Sequence, residues 1–253
     1  MKKVVVIPAR LHSMRLPKKV LLDLSGKSMI ERVYAQSMQA KSIDAVYIAT
    51  DSQEILQHCQ QFTDNIIITD NGHQSGTDRT AEAIINIECD IIVNVQGDEP
   101  FIEPSLISKI ADTLEKSSTQ MSSAMQKIKK NSVLQNPNVV KVVVNSKKHA
   151  LYFSRSVIPH HRDGWETLTG KHESIPNALR FYKHIGIYGY KKEFLLTFSK
   201  MTPSYLERIE KLEQLRVLEN GYTIQMIETE HDAFGIDTID DYHKALERIK
   251  NEQ

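Results

Sequence analysis

The chain has 253 residues with 32 Lys plus Arg against 32 Asp plus Glu, so its formal net charge at pH 7 is zero. A neutral chain has no global field drawing it to nucleic acid or an anionic membrane, and no apolar run reaches the roughly 18 to 20 residues a membrane helix needs. Cys59 and Cys89 have no partner at zinc spacing and read as buried thiols, while Met1-Lys2-Lys3 leads directly into a strand-like run with no cleavable small-residue site, which fits a cytoplasmic protein.

Val/Ile-rich runs at 4–7, 46–49, 66–68 and 91–95 have the composition of strands buried on both faces, as in a parallel sheet. Helical patterns lie between them. Ser28 with Glu31 gives a capping-box pattern opening a helix through 39, Asp51 and Ser52 are candidate caps for a helix through 61, and 77–87 gives a third. The alternation predicts right-handed βαβ units, hence an α/β fold with a mostly parallel central sheet flanked by helices. Within one domain spanning 1–253, closely spaced extended segments at 121–126, 139–144, 150–153 and 185–190 predict a smaller mixed lobe or dimerisation region over about 118–190. The polar stretch between 160 and 177 reads as a flap or interface loop. A single helix is expected over 205–219, ending at Asn220-Gly221, followed by a strand and a last helix over 240–250.

The first strand runs into Ile7-Pro8-Ala9-Arg10 and then a loop that adds Arg15, Lys18 and Lys19. Beyond the carboxyl end of a strand lies the ligand crevice of an open α/β sheet. Guanidinium forks and lysine ammoniums suit a triphosphate there, although a basic loop can also be merely solvated. Neither GxGxxG nor GxxxxGK[ST] occurs, which argues against a dinucleotide oxidoreductase and a Walker-type ATPase. The buried run 91–96 leads into Gly97-Asp98-Glu99-Pro100, placing Asp98 in the same crevice. Magnesium takes one or two carboxylates plus water and phosphate oxygens, so Asp98 needs few partners, and Asp237 before the last helix is the second candidate. A turn aspartate and a helix cap are the alternative readings, and the pairing of the two near a phosphate loop favours the metal.

These segments, IPAR…RLP…K (7–19) and VNVQGDEP (93–100), are joined by HQSGTDR (73–79), ALYFSR (150–155), KHIGIYGY (183–190), LEQLRVLENG (212–221) and GIDT (235–238). Together they resemble the CMP-Kdo synthetase family over essentially the whole chain. The resemblance implies a nucleotide-diphospho-sugar transferase-like fold and a homodimer. It also implies magnesium-dependent transfer of CMP from CTP to 3-deoxy-manno-octulosonate (Kdo), which activates that sugar for lipopolysaccharide synthesis. It assigns Arg10 and Lys19, with Ala9 beside them, to the CTP phosphates, and Ser13 and Arg15 to ordering that loop. Ser75, Gly76, Arg79 and Gln96 fall around cytosine and ribose, and Asp98 and Asp237 on magnesium. Arg155, His184, Tyr188, Glu210 and Gln214, with Asp237, fall on the acid sugar. An acid sugar does require a cation and several hydrogen-bonding groups, and Glu210 and Gln214, four apart, are expected on one helix face. In one place the chain leaves the pattern. Where the family usually reads Pro-Gly-Lys-Pro, this sequence has Pro17-Lys18-Lys19-Val20, with Lys19 in the register of the family lysine.

Overall fold

The short Val/Ile-rich runs fold as β1 (Lys3–Ala9), β2 (Ala45–Thr50), β3 (Ile66–Ile68) and β4 (Ile91–Asn94) in the computed structural model, which describes residues 1–11, 13, 15–169, 174–231 and 234–251. β1 pairs in parallel with β2 on one edge and β4 on the other, and β3 extends the parallel set beyond β2. The crossovers carry α1 (Met29–Met38), α2 (Gln53–Cys59) and α3 (Gly76–Ala83), and α4 (Pro104–Lys116) follows β4. Ser28, Ser52 and Ser75 open the first three helices, each hydroxyl accepting from a backbone N–H three residues on. The expected capping box at Ser28 is one-sided, since the Glu31 carboxylate turns to Lys27 at 3.4 Å. Asp51 is not a cap but the partner of Arg79. α3 stops at Ala83, short of the expected 87, where Ile85 and Ile87 shift to bonds three residues back and tighten the chain.

The chain continues through β5 (Met121–Lys127), α5 (Asn131–Gln135), β6 (Lys141–Val144), β7 (Ala150–Ser154), α6 (Trp165–Thr169), β8 (Tyr182–Lys191) and α7 (Lys192–Phe198). It ends with α8 (Tyr205–Glu210), α9 (Gln214–Glu219), β9 (Ile224–Glu228) and α10 (Ile239–Asn251). The sheet order is β3-β2-β1-β4-β8-β5-β9, with β8 antiparallel to both neighbours and β9 parallel to β5. The segment 118–190 is therefore divided. β5 and β8 lie inside the main sheet, while β6 and β7 form a ladder beside it that reaches β8 through Lys141 and Val142. Of the polar stretch 160–177, residues 170–173 lie outside the described residues, and α6 is its helical part.

Alternation along β1 feeds two cores. Val4 and Val6 pack with α3 and α7, whereas Val5 and Ile7 pack with α1 and α4, all four side chains having no exposed surface. Packing of α4 on the sheet depends on Gly189 of β8. A Cβ there would lie 2.7 Å from Ile110 Cγ2 and 2.5 Å from Ser122 Oγ.

The helix expected over 205–219 is two helices. Lys211 takes φ +57, ending α8, and α9 starts afresh at Gln214. The buried Arg216 guanidinium grips the Glu207 carboxylate with two bonds of 2.8 and 2.6 Å, which holds α9 beside α8 rather than in line with it. Glu210 and Gln214 consequently do not share a helix face. Among the described residues no helix is long and apolar enough to cross a membrane.

Candidate active site

A cavity of about 720 Å³ opens beyond the carboxyl ends of β1 and β4. Backbone approach makes room for it, since a Cβ on Gly97 would lie 3.2 Å from the Pro8 carbonyl oxygen. Ala9 and Arg10 reach it from the end of β1, Ser13, Arg15 and Lys19 from the following loop, and Ser75, Gly76 and Arg79 from the start of α3. Gln96 and Asp98 after β4, with Asp237 before α10, complete the wall. All the residues expected around the nucleotide and the metal thus meet in one place, although they come from four separate stretches of chain.

Lys19 organises its floor. Its ammonium donates to Asp98 Oδ2 at 2.6 Å and Asp237 Oδ1 at 2.8 Å, and an Arg15 guanidinium nitrogen lies 2.9 Å from Asp237 Oδ2. Burial works against the lysine charge, but the two carboxylates outweigh it and hold its pKa above the ordinary value. Asp237 is free for this because the start of α10 is held by a reciprocal pair, in which Asp241 Oδ2 accepts from the Thr238 N–H at 3.0 Å and Thr238 Oγ1 accepts from the Asp241 N–H at 3.2 Å. The loops are tied by the Ile236 N–H donating to the Asp98 carbonyl at 3.0 Å. Lys18 points elsewhere. It stands at φ +52 with its ammonium on both oxygens of Glu54, at 2.7 and 2.9 Å.

Several expected nucleotide contacts also carry structural bonds. Arg79, buried, donates to Asp51 Oδ2 at 2.8 Å and to Thr69, pinning α3 to the ends of β2 and β3. The Ser75 hydroxyl is the cap of α3, and Gln96 Nε2 donates to Asn94 Oδ1 at 3.2 Å. His73 and Gln74 line the cavity as well, and were recognisable only as part of the 73–79 motif. His73 bonds to Glu82, which holds that carboxyl below its usual range.

Asp237 also lines a second cavity, of about 530 Å³, with His184 and Tyr188 of β8 and Gln214 of α9. The His184 ring lies between Phe153 and Tyr188, centroids 5.1 and 5.4 Å away, with Nε2 2.9 Å from Ser123 Oγ, and burial pushes its pKa down to about 3. Gln214 is 3% exposed, and its Nε2 has no hydrogen-bond partner among the described residues. Glu99 adjoins Asp98 here, and burial reinforced by that neighbour raises its pKa to about 7. Glu213 accepts from Thr77 Oγ1 at 2.6 Å, linking this cavity to α3, and its pKa is raised by burial.

Arg155 and Glu210 line neither cavity. Glu210 accepts from Ser154 Oγ at 2.6 Å and the Arg155 N–H at 3.0 Å, and Arg155 Nε donates back to the Glu210 carbonyl at 2.9 Å. The turn at Lys211 directs Glu210 to the end of β7 and locks the two together. Lys183, Lys211, Glu99 and Glu213 take part in the cavity instead. Lys183 and Glu213 stand inside or beside quoted motifs, but which way they face depends on the break between α8 and α9 and on the position of β8. Among the described residues no group of three or more metal-ligating side chains occurs. The carboxylate pair is what the chain offers.

A family profile described as cytidylyltransferase matches residues 4–227. The chain is 46% identical over 252 residues to the 3-deoxy-manno-octulosonate cytidylyltransferase of Geotalea uraniireducens, covering 99% of this chain and 100% of that one. It is 45% identical over 247 residues to the protein of the same name from Geobacter sulfurreducens, covering 97% and 98%. A solved structure of CMP:2-keto-3-deoxy-manno-octonic acid synthetase complexed with CTP matches at TM-score 0.91 and 36% identity over 100% of both chains. The fold alone extends to the 4-diphosphocytidyl-2C-methyl-D-erythritol synthase of Anaerococcus prevotii, at TM-score 0.64 and 12% identity over 98% of this chain and 96% of that one.

Proposed function

The chain belongs to the cytidylyltransferase family, among the 3-deoxy-manno-octulosonate cytidylyltransferases, and we propose that its two joined cavities carry out that reaction. CMP passes from CTP to Kdo and pyrophosphate leaves, which activates the sugar for lipopolysaccharide synthesis. The observation that carries this reading is Asp237, one carboxylate lining both the cavity with the basic loop and the cavity with the polar residues of β8 and α9. A group transferred across Asp237 passes from nucleotide to acceptor without leaving the protein.

In this reading Arg10, Arg15 and Lys19 hold the triphosphate, by guanidinium forks and a point charge respectively. Ala9, Ser13, Ser75, Gly76 and Gln96 surround the nucleoside and the loop, and Arg79 acts by fixing the start of α3. Asp98 and Asp237 suit magnesium. Two hard carboxylates already converge on one cation, the Lys19 ammonium, and the open cavity beside them leaves room for water and phosphate oxygens. Bound there, the ion supplies charge neutralisation at the phosphates and a lowered pKa for the acceptor hydroxyl. His184, Tyr188 and Gln214 orient Kdo so that its anomeric oxygen attacks the α-phosphorus in line; a P–O bond forms there as the bond to pyrophosphate breaks. No covalent enzyme intermediate is needed. The protein works in the cytoplasm as a homodimer, and the β6–β7 flank within 118–190 supplies the pairing surface.

Pyrophosphate release from CTP with Kdo and magnesium tests the proposal. Release with UTP in place of CTP, or with sialic acid in place of Kdo, at comparable rates would assign a different nucleotidyltransferase. CTP binding with no pyrophosphate release would make the chain a noncatalytic nucleotide-binding protein.

A further inference from the structure

Two residues of the quoted motifs take no part in the reaction as written. Thr77 lies in the 73–79 segment and Glu213 in the 212–221 segment, 136 positions apart, and the Thr77 hydroxyl donates to Glu213 Oε2 at 2.6 Å. Glu213 stands at the cap position of α9 without capping it. Its carboxylate crosses instead to the first turn of α3, with the Arg216 guanidinium 4.0 Å from its other oxygen. Thr77 is 4% exposed and lines neither cavity, so it does not meet a substrate directly. Its neighbours do. Ser75 and Gly76 line the cavity proposed for the nucleotide, while Glu213 and Gln214 line the one proposed for the acceptor. The bond therefore fastens the wall of one cavity to the wall of the other. A hydroxyl donating to a carboxylate makes one of the stronger hydrogen bonds, and with Thr77 buried water competes poorly for it.

An in-line displacement needs its nucleophile and phosphorus at a fixed separation, and an error of about 1 Å there costs on the order of a hundred-fold in rate. Where two substrates are held on different walls, that separation is set by whatever holds the walls together. We infer that the Thr77–Glu213 bond is a positioning device, which holds α9 against the start of α3 and so fixes the distance across which CMP is transferred. The inference rests on the two-cavity reading proposed above. Positioning acts on turnover, whereas a direct contact from Glu213 to the acceptor acts on binding, so the two roles separate in kinetics.

Thr77→Val, Thr77→Ser, Glu213→Ala and the double variant Thr77→Val/Glu213→Ala are compared with the wild type for kcat and for KM of CTP and Kdo, with melting temperatures alongside. Thr77→Val and Glu213→Ala are each expected to lower kcat about ten- to a hundred-fold and to leave both KM values within about two-fold. Thr77→Ser keeps the hydroxyl and should return most of the lost turnover. The double variant should be no slower than the slower single variant, since one bond can be broken only once. An unchanged kcat in Thr77→Val overturns the inference, as does a raised KM for Kdo with kcat kept, which would make Glu213 an acceptor contact. Losses that multiply in the double variant also overturn it, and so does a joint fall of kcat and melting temperature that Thr77→Ser does not restore. If the wild type releases no pyrophosphate from CTP and Kdo, the reaction reading is what fails. Calorimetry then decides the inference. The factor by which saturating CTP changes the affinity for Kdo should move toward one in Thr77→Val, and an unchanged factor, or none in the wild type, overturns it.

Discussion

Lys19 touches two carboxylates that are 139 positions apart in sequence, and together they keep its ammonium charged against the cost of burial. Asp98→Asn keeps the shape and removes one charge, so the variant should melt near the wild type while turnover falls by about a hundred-fold or more. Near-normal turnover at low magnesium would remove Asp98 from the metal. Asp237→Asn should also lose turnover, and its stability should stay within about 0.5 kcal/mol because Thr238 and Asp241 already hold the start of α10. His184 makes a pH prediction. Its imidazole titrates near 6.5 when unfolded and near about 3 in place, so between those values the unfolded chain binds more protons. Stability therefore rises with pH across that window and is lost on acidification, by about 1.4 kcal/mol per unit at most, with no contribution above 6.5. His184→Gln cannot take up the proton. Its urea midpoint should fall less than that of the wild type between pH 7.5 and about 4.5, and an equal fall would show that the ring titrates normally.

The phosphate loop explains its own departure from the family pattern. Position 18 is left-handed, the conformation in which glycine is at ease, and here a lysine occupies it with its ammonium paired to Glu54 outside the cavity. Lys18→Gly should relieve backbone strain of about 1 to 2 kcal/mol and forfeit an exposed ion pair worth about 0 to 1 kcal/mol. The melting temperature should hold or rise, with kcat/KM for CTP nearly unchanged. Lys19→Ala should lower that ratio about ten- to a hundred-fold. A reversed ranking would give the phosphate contact to Lys18. Within the sheet, a side chain at Gly189 would run into Ile110 of α4 and Ser122 of β5, and Gly189→Ala should cost about 1 to 3 kcal/mol in chemical denaturation by forcing one of them aside. An unchanged midpoint would mean that α4 can shift without loss.

At the scale of the molecule, the carboxyl ends of the parallel strands set the cavity proposed for the nucleotide, and the antiparallel insertion of β8 between β4 and β5 sets the one proposed for the acceptor. Because α10 returns from the far end of the chain, its preceding loop closes both with Asp237. Light scattering should give twice the 28.9 kDa of the single chain if the homodimer forms. A mass of one chain at micromolar concentration would leave the β6–β7 flank without its proposed role.

Much of the parallel half was legible before folding. A strand buried on both faces needs an unbroken apolar run, and runs of that kind identify β1, β2 and β4 to within a residue or two, whereas the 66–68 run forms β3 at the edge of the sheet, where Ile68 is exposed rather than buried. Ser28 and Ser52 mark two helix starts because a short oxygen-bearing side chain reaches the free N–H groups of the first turn, whereas the cap of α3, Ser75, was not read. The motifs likewise placed Arg10, Lys19, Asp98 and Asp237 together, since each stands at the end of a strand or the start of a helix that faces one crevice. What lay beyond sequence pattern was decided by contacts between distant residues. The Arg216–Glu207 pair and the turn at Lys211 broke a helix whose local propensity was continuous, and so sent Glu210 to Arg155 and left Gln214 in the acceptor cavity. β8, read as part of a separate lobe, joined the main sheet, because a strand's neighbours are fixed by which edge offers unpaired backbone and not by its own residues. Local chemistry determined most of the elements and the residues that meet in the first cavity. Tertiary packing alone decided which side chains line the second cavity.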